Sequence, residues 1–182
     1  NGHAAVPSMT LSENALLTGY DEDGVVTKGV IQYDQTLAMA RRISERFDVR
    51  KPSDDPLASS LSGGNLQKFV VGREIMKSPH VLIVSQPTWG VDIAAAQFIR
   101  NAMADLARQG SAVIMISQDL EEIFEIAHSI AVLNEGQLSD SVDTSKVTAE
   151  HIGLLMGGSQ DQSSGKPRRQ NKTARGKQRG AS

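Results

Sequence analysis

Leu61-Ser62-Gly63-Gly64-Asn65-Leu66-Gln67-Lys68 sets a hydroxyl and two glycines directly before a stretch whose apolar residues recur at helical spacing through Met76. A helix is predicted to start there, with Ser62 as its cap. The first amides of such a helix have no partner inside it, and the aligned peptide dipoles put partial positive charge at its mouth. Glycine lets the backbone approach a phosphate with no side chain between. The same residues, read alone, also make an ordinary capped turn, so the flanking sequence decides what this one is.

Downstream of Ser78-Pro79, short apolar runs alternate with amphipathic helices. Val81–Val84 reads as a strand. From Ile93 to Gln109 a helical stripe of Ile99, Met103 and Leu106 ends before Gly110, which suits a left-handed C-cap. Ala112–Ile116 reads as a second buried strand. A short helix with Leu120, Ile123, Phe124 and Ala127 inward follows, opened by Asp119 with Glu122 three residues on, the pattern of a capping box. Ser129–Leu133 is predicted as a third strand, Asn134-Glu135-Gly136 as a turn, and Ala149–Met156 as a helix stopped by Gly157-Gly158. Upstream, Leu37, Ala40, Ile43 and Phe47 mark a helix capped by Asp34, and Lys51–Ser60 reads as loop. The class is therefore α/β, a mainly parallel sheet with flanking helices.

The 182 residues suit about one domain. There is no cysteine, which excludes disulfides, thiolate zinc sites and cysteine nucleophiles and fits a reducing compartment. No apolar run approaches the roughly 20 residues of a membrane-crossing helix, and nothing at the N-terminus reads as a secretory signal. His3, His80, His128 and His151 show no metal-ligand spacing. The net charge of −2 is unevenly spread: Lys166, Arg168, Arg169, Lys172, Arg175, Lys177 and Arg179 all follow Ser163, and the rest of the chain carries 12 basic against 21 acidic residues. Residues 159–182 read as a disordered, solubilising basic tail, with contact to anionic lipid or RNA as the alternative.

Leu61–Lys68 resembles the signature motif of ATP-binding cassette (ABC) ATPases, and the segments after it resemble the rest of that cassette in order. Val81-Leu82-Ile83-Val84-Ser85-Gln86-Pro87-Thr88 is similar to the Walker B strand, Trp89-Gly90-Val91-Asp92 to the D-loop, and Ile116-Ser117-Gln118-Asp119 to the switch-histidine segment. Residues 9–14 resemble the start of the cassette's helical subdomain. The wording is most similar to the second cassette of tandem ATP-binding proteins of simple-sugar and nucleoside importers. The implied fold is the C-terminal part of a P-loop NTPase cassette: a helical subdomain in 1–78, a RecA-like α/β part in 79–158, then the tail. No Gly-x-x-x-x-Gly-Lys-Ser/Thr occurs in the chain, as expected of a cassette cut short at its N-terminus, and tight ATP binding or hydrolysis by this chain alone is not expected.

By resemblance, the nucleotide contacts are Leu61, Ser62, Gly63, Gly64, Asn65, Ser85, Gln86, Asp92 and Gln118. Three of these depart from the family: Ser85 stands where an aspartate helps hold Mg2+, Gln86 where a glutamate handles the attacking water, and Gln118 where the histidine lies. None of the three can act as a carboxylate or become cationic. Since ABC cassettes dimerise head to tail, the resemblance implies that Ser62-Gly63-Gly64 completes the ATP site of a partner cassette, while this chain's own site is degenerate. It further implies an ATPase subunit, permease and solute-binding partners, ATP and Mg2+, and a cytoplasmic place on the inner membrane face. A non-transport ABC ATPase, or a nucleic-acid module acting through the tail, is the alternative.

Overall fold

The computed structural model describes residues 4–21 and 24–158, and the chain divides into two compact units, Asn1–Ala127 and His128–Ser182. In the first unit, Thr10 opens helix α1 (Leu11–Gly19) with a true capping box, its hydroxyl accepting from the Glu13 amide while the Glu13 carboxylate accepts from the Thr10 amide at 2.8 Å. A hairpin of β1 (Val26–Thr27) and β2 (Val30–Ile31) leads to helix α2 (Tyr33–Arg46).

The cap of α2 is Gln32, not Asp34. The Gln32 carbonyl accepts from the amides of Gln35 and Thr36, each at 3.0 Å, so the helix starts earlier than the aspartate suggested. Asp34 lies in the first turn, where its charge still favours the helix dipole. The buried face runs through Thr36, Met39, Ala40 and Ile43, and Leu37 is only half-buried.

A short 3-10 turn at Ala58–Ser60 precedes helix α3 (Gly63–Ile75), which packs against α2 and against helix α4 (Ile93–Arg108). The core forms at this crossing. Phe47 meets Phe98 edge-on, with ring centroids 6.0 Å apart, and Ile43, Phe69, Ile99 and Met103 are almost wholly buried around them. The Phe47 ring also lies over Gly72 so closely that a Cβ there would come within 2.6 Å of it.

Strands β3 (Val81–Ser85) and β4 (Ala112–Ile116) pair in parallel from Val81–Ala112 to Ser85–Ile116, and α4 is the crossover between them. Gly110, at φ +100°, ends that helix as predicted. Leu82, Val84, Val113 and Met115 face the core. The expectation that these strands are buried fails on the other face, where Val81, Ile83, Ile114 and Ile116 are exposed. Apolar runs without alternation suit a sheet covered on both sides; in this unit helices cover one.

Helix α5 (Leu120–Ile126) is capped by Asp119, whose Oδ1 accepts from the Glu122 amide at 3.2 Å. The capping box predicted there does not form. The Glu122 side chain turns inward instead and is 2 % exposed.

In the second unit the predicted third strand divides. Strands β5 (Ser129–Ile130), β6 (Leu133–Asn134), β7 (Gln137–Leu138) and β8 (Val142–Asp143) pair antiparallel as β5 with β8 and β6 with β7. The cause is the two-residue connection Glu135-Gly136, at φ +48° and +75°, which folds Leu133–Asn134 back into a tight hairpin. Helix α6 (Ala149–Met156) is capped by Thr148 and stops at Gly157-Gly158, as predicted. The basic tail lies outside the described residues. No helix among them is long and apolar enough to cross a membrane.

Candidate functional site

The mouth of α3 is open. Its internal ladder begins with the Leu66 amide donating to the Ser62 carbonyl at 2.9 Å, so the amides of Gly63, Gly64 and Asn65 lie ahead of the first helical bond. Ser62 and Gly63 are exposed, and the Ser62 side chain makes no capping bond. Its hydroxyl is oriented from behind: the Arg50 amide donates to Asn65 Oδ1 at 2.8 Å, and Asn65 Nδ2 then donates to Ser62 Oγ at 2.9 Å. Ser62 Oγ accepts here and donates to no partner among the described residues. The Asn65 side chain holds Ser62, and its backbone amide stays at the open mouth. Leu61 is partly buried against the core and supports the turn rather than facing solvent.

Gly64 has a second reason to be glycine. A Cβ at Gly64 would lie 3.3 Å from Ala95 Cβ and 3.4 Å from Asp92 Oδ2, and one at Gly63 would lie 3.4 Å from the Gly90 carbonyl. The start of α3 thus rests against the 90–95 segment of its own chain. Asp92 caps α4, accepting from the Ala95 amide at 2.8 Å. A helix mouth with free amides, a donor hydroxyl and no side chain over two residues is suited to an oxyanion such as a phosphoryl group.

Ser85 ends β3, Gln86 follows it and Gln118 lies just past the end of β4, so the three stand at the C-terminal edge of the ladder, where parallel α/β sheets bind ligands. Gln86 is left-handed, at φ +50°, a conformation that costs a non-glycine residue about 1–2 kcal/mol. It donates its amide to the Ile116 carbonyl at 2.8 Å and accepts from the Trp89 amide at 3.2 Å, so the strain turns the chain out of the sheet into the 87–92 loop. Trp89, in that loop, is exposed.

The oxygens available here belong to a serine hydroxyl and two carboxamides. The neighbouring Asp119 is occupied as a helix cap. A hard divalent cation prefers carboxylates, and this donor set does not fit Mg2+. Among the described residues no group of three or more His, Cys, Asp or Glu could hold a metal.

Two residues missed in the sequence tie these parts together. Gln67 of α3 donates to the Pro87 carbonyl at 2.8 Å. Glu122 accepts from Thr88 Oγ1 at 2.7 Å and from Ser117 Oγ at 2.9 Å. The Glu122 position matches a capping box in sequence, and nothing in the local pattern marks it as a buried acceptor.

No protein-family model matches the chain. It is 37 % identical over 164 residues to the guanosine import ATP-binding protein NupO of Bacillus subtilis, a match covering 90 % of this chain and 32 % of that protein. It is 39 % identical over 153 residues to the nucleoside import ATP-binding protein NupA of Lactococcus lactis subsp. cremoris, covering 84 % and 30 %. The ribose import ATP-binding protein RbsA of Lactococcus lactis subsp. lactis is 37 % identical over 132 residues, covering 72 % and 27 %. The chain thus spans about a third of the length of these relatives. Among solved structures, a dimeric ATP-binding cassette in a post-hydrolysis state with ADP and phosphate aligns at TM-score 0.64 and 18 % identity, covering 77 % of this chain and 59 % of that one. An inward-facing metal-chelate type ABC transporter aligns at 0.68 and 16 %, covering 83 % and 59 %. Identities this low establish the fold alone.

Proposed function

The chain belongs to the ATP-binding cassette family, as a homologue of sugar and nucleoside import ATP-binding proteins, and from that premise we propose that its α3 mouth completes an ATP site whose nucleotide is held by a second cassette. The observation that carries this is the Ser62 hydroxyl, held by the Arg50–Asn65 relay with its proton free beside three amides that precede the helical ladder. Backbone amides and a positioned hydroxyl stabilise charge on a phosphoryl group without any side-chain base.

In this reading Ser85, Gln86 and Gln118 line a degenerate second site that holds nucleotide without cleaving it rapidly. The Mg2+ that accompanies ATP belongs to residues of the partner cassette, since Ser85 and its neighbours do not suit it. Residues 1–78 act as the helical subdomain that engages the permease, residues 79–158 act as the nucleotide-facing part, and residues 159–182 act as a solubilising extension. The whole assembly works as an importer's ATPase on the cytoplasmic face of the membrane, with a solute-binding protein delivering a simple sugar or nucleoside.

The test is made in the complete import ATP-binding protein carrying this segment. Ser62→Ala removes one donor but no side-chain capping bond, so ATP hydrolysis should fall on the order of 100-fold or more with the unfolding midpoint unchanged. Gln86→Ala should leave the rate near that of the parent. A parental rate in Ser62→Ala, or loss of hydrolysis in Gln86→Ala, overturns the assignment of roles.

A further inference from the structure

Glu122 is the one acidic side chain among the buried polar groups of the first unit's described residues, and both of its oxygens are engaged by hydroxyls from different loops. Thr88 Oγ1 donates to Oε1 at 2.7 Å from the loop that runs on to Trp89 and Asp92. Ser117 Oγ donates to Oε2 at 2.9 Å from the residue that precedes Gln118, and the same Oγ accepts from the Asp119 amide at 3.1 Å. One residue before Thr88, the Pro87 carbonyl accepts from Gln67 of α3. A single carboxyl group therefore closes a chain of polar contacts from Gln67 of α3, through the 87–88 peptide, to the end of β4. Two hydroxyl donors to one buried acceptor fix both loops relative to α5, because either hydroxyl that swings away leaves a buried oxygen unsatisfied.

We propose that Glu122 is a positioning residue that couples the 87–92 loop to the Ser117-Gln118 segment, so that displacement of either is felt by the other. Glu122 touches no ligand in this scheme; it acts through Thr88 and Ser117. The meaning of the coupling for transport rests on the composite-site reading above, since it would let occupancy beside Gln118 adjust the loop that supports the α3 mouth. The coupling itself is a property of this chain.

The experiment needs no nucleotide, so its failure and the failure of that reading are distinguishable. Hydrogen exchange at the Trp89 and Val91 amides is measured in the 182-residue chain, with acrylamide quenching of Trp89, its only tryptophan, as a second reporter of the same loop. Ser117→Ala should speed exchange at Trp89 and Val91 several-fold although it lies beyond the end of the other strand, with an unchanged thermal midpoint. Glu122→Gln, which can accept one hydroxyl and donate to the other, should keep the slow exchange, whereas Glu122→Ala should speed it at least as much as Ser117→Ala. Adding Ser117→Ala to Glu122→Ala should change nothing more. Should Glu122→Ala not fold, Thr88→Val takes its place in the cycle, since it cuts the same link at the other hydroxyl. Parental exchange at both amides in Ser117→Ala, or full additivity of the two substitutions, overturns the proposal.

Discussion

Replacing Gly72 by alanine sets two opposed effects against each other. In an open helix interior the exchange stabilises by about 1 kcal/mol, because alanine loses less backbone freedom on folding. At this position the new methyl would lie 2.6 Å from Cγ and Cδ2 of Phe47 and 3.0 Å from Cδ1. That is about 1 Å inside the optimum of roughly 3.5–4.0 Å for carbon atoms. The obstacle is an aromatic ring that is 4 % exposed and held edge-on by Phe98, so it has little room to withdraw. Overpacking of this kind costs about 1–3 kcal/mol, and a buried ring met at 2.6 Å argues for the upper half of that range, which leaves a net loss of about 1–2 kcal/mol after the helical gain. Urea unfolding followed by circular dichroism should show a lower midpoint at unchanged slope for Gly72→Ala. Adding Phe47→Leu should cost less in the alanine background than in the glycine background. A midpoint raised by Gly72→Ala would refute the reasoning, since propensity would then have won.

Gly153→Ala supplies the contrasting case: nothing lies within 4 Å of a Cβ there and the position is exposed in α6, so the second unit should gain up to about 1 kcal/mol in thermal unfolding. Asp54, held mainly by its hydrogen bonds from Arg41, has its pKa lowered to about 2. Its folded value lies below the usual carboxylate value of about 3.9, so its contribution to stability is present above pH 4 and is lost as pH falls toward 2. Carboxyl NMR titration should give the low value in the parent and a clearly higher one in Arg41→Ala, where Lys51 remains beside the carboxylate. Ile83 and Ile114 are cross-strand partners on the open face of the ladder, 64 % and 50 % exposed. Ile83→Lys with Ile114→Glu should cost no more than about 1–2 kcal/mol and should lower light scattering at high concentration.

The alternation of helices and short apolar runs was readable because each depends on nearest-neighbour periodicity, and the glycines at 110 and 157–158 ended helices where backbone freedom demanded. What the sequence concealed depended on partners distant along the chain. Asp34 had the chemistry of a cap, yet the Gln32 carbonyl gathered the first bonds. Ser129–Leu133 had the composition of a buried strand, but the positive φ of Glu135 and Gly136 turned its second half into a hairpin. Ser62, Gly63 and Gly64 were legible as a helix mouth, whereas the closeness of Gly64 to Asp92 and Ala95 appears only when α3 and α4 cross. Glu122 fitted a local pattern as a capping partner and was drawn instead to Thr88, far along the chain.

The main chain at Arg50 holds Asn65, which holds Ser62 Oγ, so in the proposed site part of ligand recognition would be encoded in a bend rather than in a side chain. That bend follows Asp48, a non-glycine residue at φ +46°. Alterations that shift its peptide plane should behave like mutations of the binding surface while leaving every contacting atom in place, and exchanging the Arg50 side chain should be silent by comparison. Surveys of natural variants that score only contact residues would overlook this class entirely.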